Sequence, residues 1–270
     1  MDDTQNAIDT RNLPIDQVGV NNLRYPIVVL DRENARQQTV AQVTMSVDLP
    51  HQFRGTHMSR FLEVLNEHNG EVTMRTLPRI LQALRERLGA ARANIELTFP
   101  YFLRRYAPVT GASGLMDYQC TFIGRVDEQG DDFILVVRVP VNSLCPCSKA
   151  ISDYGAHNQR GYVTMQVRST RAEDGTPRFI WIEDLVAVAE QCASAPVYPI
   201  LKRADERHVT MLAYDNPAFV EDVVRSVALR LQADLRVAWF RVEAVHEESI
   251  HNHSAFARIC WARKENGEGG

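Results

Sequence analysis

The stretch from Val141 to Arg160, VNSLCPCSKAISDYGAHNQR, concentrates the residues best suited to chemistry. Cys145 and Cys147 stand one residue apart, and His157 follows ten positions after the second. The stretch lies between two β-rich runs and reads as a long loop, a place where compact domains often keep function. In extended backbone, residues i and i+2 point the same way, so the spacing predicts both sulfurs facing one pocket. A thiolate with an imidazole is the start of a zinc or iron site. Lys149 and Arg160 would favour the thiolate electrostatically. The plainer alternative is two packed thiols and a hydrogen-bonded histidine, since no second cysteine pair follows at zinc-ribbon spacing.

Four other segments carry groups that could join such a site. Glu247, Glu248, His251 and His253 supply ligands and proton-transfer groups within seven residues; if extended, both imidazoles share a face with Glu247. LKRADERH, from Leu201 to His208, offers Glu206 as a ligand and Lys202, Arg203 and Arg207 as anion contacts, although charge runs usually form solvated surface. Arg54 to Arg60, a basic glycine-containing loop with His57 ahead of a helix, suits an anionic oxygen. Glu221 falls in the first turn of a helix, where the positive dipole end favours a carboxylate without any function being required.

The elements that must position these groups follow from periodicity. Val43, Met45, Val47 and Leu49 alternate with polar residues as a half-buried strand, as do Ile95, Leu97 and Phe99, and Val163, Met165 and Val167. An earlier strand covers about 22–30. Residues 115–127 and 132–140 form a hairpin around DEQGDD. Helices are expected from Phe61, from Leu77 to Leu88, over 183–192 and from about Pro217, and strands at about 235–246 and 255–263. Each half reads strand, strand, helix, helix, strand, strand, which predicts an α+β chain of two antiparallel sheets, each with helices on one face. The expected divisions are an arm over 1–20, a first unit over 21–130, a second over 131–264 with the site loops, and a disordered tail over 265–270.

Composition narrows the function classes. The 270 residues carry 34 acids and 30 bases, a net charge of −4, which argues against a general nucleic-acid binder. No apolar run approaches the ~20 residues of a membrane helix. The polar, acidic start MDDTQNAIDTRN is unlike a signal or transit peptide, and a cytoplasmic location is expected. Five cysteines, an odd number at low density, favour thiols, a metal site or a nucleophile over a disulfide framework. Cys120, Cys192 and Cys260 read as packed thiols.

Taken jointly, LCPCSKAIS, YGAHNQRG, PVYPILKRADER, NPAFVEDVVR, ESIHNH and RGTHMSRF resemble the type IB GTP cyclohydrolases over roughly residues 17–263. The resemblance implies two tandem tunnelling-fold units of ββααββ form, in a homotetramer with active sites at subunit interfaces. It implies conversion of GTP and water to formate and 7,8-dihydroneopterin triphosphate, the first step of tetrahydrofolate biosynthesis, through a metal-activated water attacking purine C8. One divalent metal per site, manganese, iron or zinc, is implied, with Cys145, His157, Glu206 and His251 as ligands. Cys147 matches a cysteine near the substrate, and Glu221 a carboxylate that anchors the purine. Glu248 and His253 are the candidates for proton transfer. Arg60, His57, Lys202 and Arg203 are those for the triphosphate. Ala195 and Ser254 depart from the family pattern, where glycine and aspartate are expected. Two rivals use the same residues differently: a nitrile reductase of the same fold, with a cysteine nucleophile and NADPH, and a non-enzymatic binding module with a structural metal.

Overall fold

The computed structural model describes residues 8–68 and 70–264, so the expected tail and the first part of the expected arm lie outside the described residues. Within them are nine strands and six helices, divided between two compact units. The division does not fall at one point in the chain. Residues up to Pro100 and Cys120–Ile134 form one unit, and Tyr101–Gln119 with the chain from Leu135 forms the other. No described helix is long and apolar enough to cross a membrane.

The first unit opens with β1 (Ile15–Asp31) and β2 (Ala35–Leu49), an antiparallel pair. β1 begins inside the stretch expected to be an arm, because Ile15 already pairs with Leu49. Asp31 fixes the connecting turn: its carboxylate accepts from the N–H groups of Glu33 (2.9 Å) and Asn34 (2.7 Å). Helices α1 (Ser59–Glu67) and α2 (Leu77–Leu88) follow, then β3 (Ala93–Tyr106) and β4 (Ser113–Asp127), of which residues 101–106 and 113–119 belong to the second unit. Gly89 ends α2 in the left-handed conformation, φ 61°, the usual glycine stop. The alternation read in 43–49 and 95–99 becomes one apolar face, with Val43, Met45, Val47, Ile95, Leu97 and Phe99 all buried. Ile80, Leu81 and Leu84 of α2 are buried as well.

The second unit uses β5 (Gly130–Leu144) from Leu135 onwards, α3 (Pro146–Ile151), β6 (Asn158–Ser169), α4 (Ile182–Cys192), β7 (Ala195–Pro196), α5 (Arg203–Asp215), α6 (Val220–Ala233), β8 (Val237–His246) and β9 (Ala255–Ala262). β5, β6, β8 and β9 pair in that order, all antiparallel, and the short β7 pairs β5 on its other side. Each fully buried valine on the helix-covered face is worth ~1.5–3 kcal/mol. The nine strands belong to one antiparallel sheet rather than the two expected, and the sequence-derived element order holds, with two exceptions. The expected long loop over 141–160 is short, because β5 runs on to Leu144, β6 starts at Asn158, and α3 occupies part of the gap. LKRADERH is not merely charged surface but the entry into α5, whose buried residues are only Asp205 and Ala213, too few to leave a helical stripe in the sequence.

Close helix–sheet packing in the first unit has a testable consequence. A Cβ on Gly124 of β4 would lie 2.5 Å from Leu77 Cδ2 and 3.0 Å from Leu81 Cδ1. Gly124→Ala should therefore overpack the core and destabilise by about 1–3 kcal/mol, read as a lowered Tm in a circular dichroism melt. A variant melting with the parent would contradict this contact between α2 and β4.

Candidate active site

In the second unit, every other residue of β5, β6 and β8 faces the helices. On β5 these include Val137, Val139, Val141 and Ser143; on β6, Val167, Met165, Val163 and Gln159; on β8, Phe240, Val242, Ala244 and His246. The face is apolar over most of its length and polar at one end. At that end the β5–β6 register runs one step beyond the last ladder pair, Leu144 with Asn158. The N–H of Cys145 donates to the carbonyl of His157 at 3.1 Å. A thiol and an imidazole twelve residues apart in the chain thus stand opposite each other, and opposed residues in an antiparallel pair present their side chains on the same side.

Local chemistry holds this pair. Cys145 is the N-cap of α3, and its sulfur accepts from the Ser148 N–H at 3.5 Å. The Ser148 hydroxyl donates to the Cys145 carbonyl (3.2 Å) and accepts from the His157 N–H (3.2 Å). His157 Nδ1 lies 2.8 Å from Gln159 Oε1 and 3.9 Å from Glu248 Oε2. Ala218 N–H donates to the Leu144 carbonyl at 3.1 Å, which docks the lead-in to α6, and with it Glu221, at the same end of the sheet.

His246, absent from the sequence-derived candidates, sits in the middle of this region at 2% exposure. Its Nδ1 is 3.0 Å from Ser143 Oγ, and its Nε2 is buried with no hydrogen-bond partner. Burial pushes its pKa down to about 4, against the opposing pull of the Glu221 carboxylate. The sequence signal was the replacement of an apolar residue by histidine at the end of the β8 alternation. Asp205 was also missed beside Glu206. Burial alone would raise its pKa, but its carboxylate accepts from Thr110 Oγ1 (2.6 Å) and from the N–H groups of Thr110, Lys202 and Val109, and these hold it well below the usual carboxylate range. Asp205 thereby fixes the start of α5.

The other expected residues fall as follows. Cys147 is exposed within α3, and because Cys145 precedes that helix in extended conformation, the two sulfurs do not share one extended face as the spacing predicted. Lys149 donates to the Tyr214 carbonyl and lies 4.2 Å above the Tyr214 ring, so it is committed to α5 rather than to the thiol. His251 and His253 are exposed on the turn after β8 with stacked rings, 5.1 Å between centroids, instead of on an extended strand. Glu206 is exposed in the first turn of α5. It lies eight residues, or ~12 Å of helix, from Tyr214, which Lys149 of α3 holds. Lys202 and Arg203 are exposed at the N-terminus of α5, and Glu221 is exposed in the first turn of α6. In the first unit, the Arg60 guanidinium donates to the Arg87 carbonyl at 3.2 Å, and the His57 carbonyl accepts from the Arg60 N–H at 3.2 Å. Among the described residues, no three His, Cys, Asp or Glu side chains gather closely enough to hold an ion. One chain therefore brings Cys145 and His157 together without Glu206 and His251.

A family profile described as type I GTP cyclohydrolase folE2 matches residues 1–257. The chain belongs to the GTP cyclohydrolase FolE2 family. The FolE2 of Syntrophotalea carbinolica is 53% identical over 259 residues, covering 96% of this chain and 94% of that protein. That of Geobacter metallireducens is 53% identical over 259 residues, covering 96% of each. Among solved structures, uricase from Arthrobacter globiformis matches with a TM-score of 0.54 at 9% identity, over 94% of this chain and 96% of that one. Urate oxidase from Bacillus subtilis 168 matches at 0.52 and 8%, over 92% and 98%. These structures share the tunnelling fold with this FolE2 family member, and at such identity the fold alone.

The buried imidazole gives the FolE2 site a pH signature. The folded pKa of His246 lies below its ordinary value of 6.5, so the unfolded state binds the extra proton. Stability should fall as pH drops from about 6.5 towards 4, by ~3 kcal/mol in total. The unfolding free energy of the parent minus that of His246→Phe, measured by urea titration, should decrease over that window. A constant difference would show that His246 titrates normally.

Proposed function

We propose that this chain is a cytoplasmic GTP cyclohydrolase of the IB type. It converts GTP and water to formate and 7,8-dihydroneopterin triphosphate at the start of tetrahydrofolate biosynthesis. Family membership supports the overall activity. The observation that carries the site assignment is the strand register that opposes Cys145 to His157. These donors suit a divalent transition metal: a thiol, and an imidazole whose Nδ1 already faces an acceptor, so that Nε2 remains for an ion. When bound, such an ion would supply Lewis acidity that brings the pKa of a water molecule down towards neutrality. Manganese, iron and zinc all match the mixed donors.

The residues of the chain divide the remaining work. Cys145, His157, Glu206 and His251 hold the ion, in active sites at the subunit interfaces of a homotetramer. Glu221 accepts from the guanine N1–H and exocyclic amine, a two-point match that adenine lacks. Leaving such a partner unpaired costs orders of magnitude in discrimination. Glu248, beside His157, and His253 move protons as the imidazole ring of the purine opens and formate leaves. Cys147 lies along the substrate, and Arg60, His57, Lys202 and Arg203 neutralise the triphosphate. Local cations can do this in a chain whose net charge is −4.

Purified protein incubated with GTP and Mn²⁺ should release formate and a product that becomes a fluorescent pterin after oxidation. Cys145→Ala and His157→Ala should each lower kcat by at least about 100-fold and lose bound metal. Full activity in either variant would remove that ligand. Glu221→Gln should raise KM for GTP at least about tenfold with metal content unchanged. An unaltered KM and kcat would end its role as guanine anchor.

A further inference from the structure

The polar end of the second unit's sheet holds a continuous, buried chain of hydrogen bonds that the reaction chemistry above leaves unexplained. It runs from the Ala218 carbonyl to Ser143 Oγ (3.3 Å), on to His246 Nδ1 (3.0 Å) and Gln159 Nε2 (3.5 Å), and from Gln159 Oε1 to His157 Nδ1 (2.8 Å). Ser143 is fully buried, Gln159 is 8% exposed and His246 is 2% exposed. The proton positions follow from one end. A carbonyl only accepts, so the single hydroxyl proton of Ser143 goes to Ala218. Ser143 Oγ must then accept from both other neighbours, which makes His246 the Nδ1–H tautomer and turns the Gln159 amide nitrogen towards Ser143. The Gln159 oxygen is left facing His157, where it can only accept, so His157 carries its proton on Nδ1 and presents a bare lone pair on Nε2. The reverse arrangement, with Ser143 donating to His246, would leave an N–H on His246 Nε2 buried and unmatched. An orphaned N–H is rarer than an under-used acceptor, and the unpartnered Nε2 fits the acceptor form.

We propose that Gln159, oriented by Ser143 and His246, is the positioning residue that locks His157 in the tautomer able to bind a metal. The inference rests on the reading of His157 as a ligand. It explains why an otherwise apolar core face retains a serine, a glutamine and a neutral histidine. It also accounts for Gly161, the partner of His246 across the β6–β8 ladder. A Cβ there would lie 2.9 Å from His246 Cδ2 and 3.4 Å from its Nε2, displacing the ring from Ser143.

Two measurements test this. In metal-free parent protein labelled with ¹⁵N-histidine, NMR at pH 8 should show His157 protonated at Nδ1; protonation at Nε2 would overturn the proposal, and this readout needs no variant to fold. In titrations with Zn²⁺ against a competing chelator, Gln159→Leu should bind about 10–100-fold more weakly than the parent. Gln159→Glu, which keeps an acceptor oxygen, should stay within about tenfold. Parent-like affinity in Gln159→Leu, or equal losses in both variants, would overturn the positioning role. If His157→Ala itself binds Zn²⁺ like the parent, the ligand reading fails instead, whatever the glutamine variants do.

Discussion

One backbone constraint organises the second unit: the antiparallel register of β5 and β6. Because Leu144 pairs with Asn158, Cys145 must face His157, and Ser143 must face Gln159 one row deeper. The β6–β8 register adds His246 opposite Gly161 in the next row, and the chain leaving β8 brings Glu248 back beside His157. A slip of one residue in either ladder would turn these side chains to the other face of the sheet. The apolar rows of valine, methionine and phenylalanine further along the same strands make such a slip expensive. The packing that stabilises the fold therefore also fixes the geometry of the site.

The same face shows what burying polar groups requires. An unmatched polar atom inside a protein costs about 1–3 kcal/mol. The serine, glutamine and two histidines at the end of the sheet avoid most of that cost by satisfying one another, and their connection makes them a rigid unit. Glu221 lies at one end of this unit, close enough to act on His246 electrostatically, and His157 lies at the other. The proposed base anchor and the proposed metal ligand are thus tied to one scaffold. Glu206 is different. Asp205 holds the start of α5 to the backbone at Val109 and Thr110, far along the helix from the end that Lys149 of α3 touches.

Much of this was legible in the residues. The alternation at 43–49 and 163–167, the helix over 77–88 and the hairpin at 127–130 all followed from periodicity and turn chemistry. The cysteine–histidine pairing was suggested by residue type, but its geometry was not, because register is a property of two strands and no local pattern in either states it. The assumption of a long extended loop then placed the two cysteines on one face, when Pro146 in fact starts a helix between them. His246 escaped notice for a related reason: a histidine ending a strand looks like a surface residue until a neighbouring strand and helix cover it. α5 was hidden because capping and side-chain-to-backbone bonds hold it, not an apolar stripe.

The central claim is that a sulfur and an imidazole, set opposite each other by this register, hold a catalytic cation. X-ray absorption at the metal edge of Zn²⁺-loaded protein tests it most directly. The account predicts one sulfur scatterer per metal together with imidazole and oxygen, and loss of the sulfur signal in Cys145→Ser. A first shell of nitrogen and oxygen alone in the parent, or a sulfur signal that survives removal of the Cys145 thiol, would contradict it.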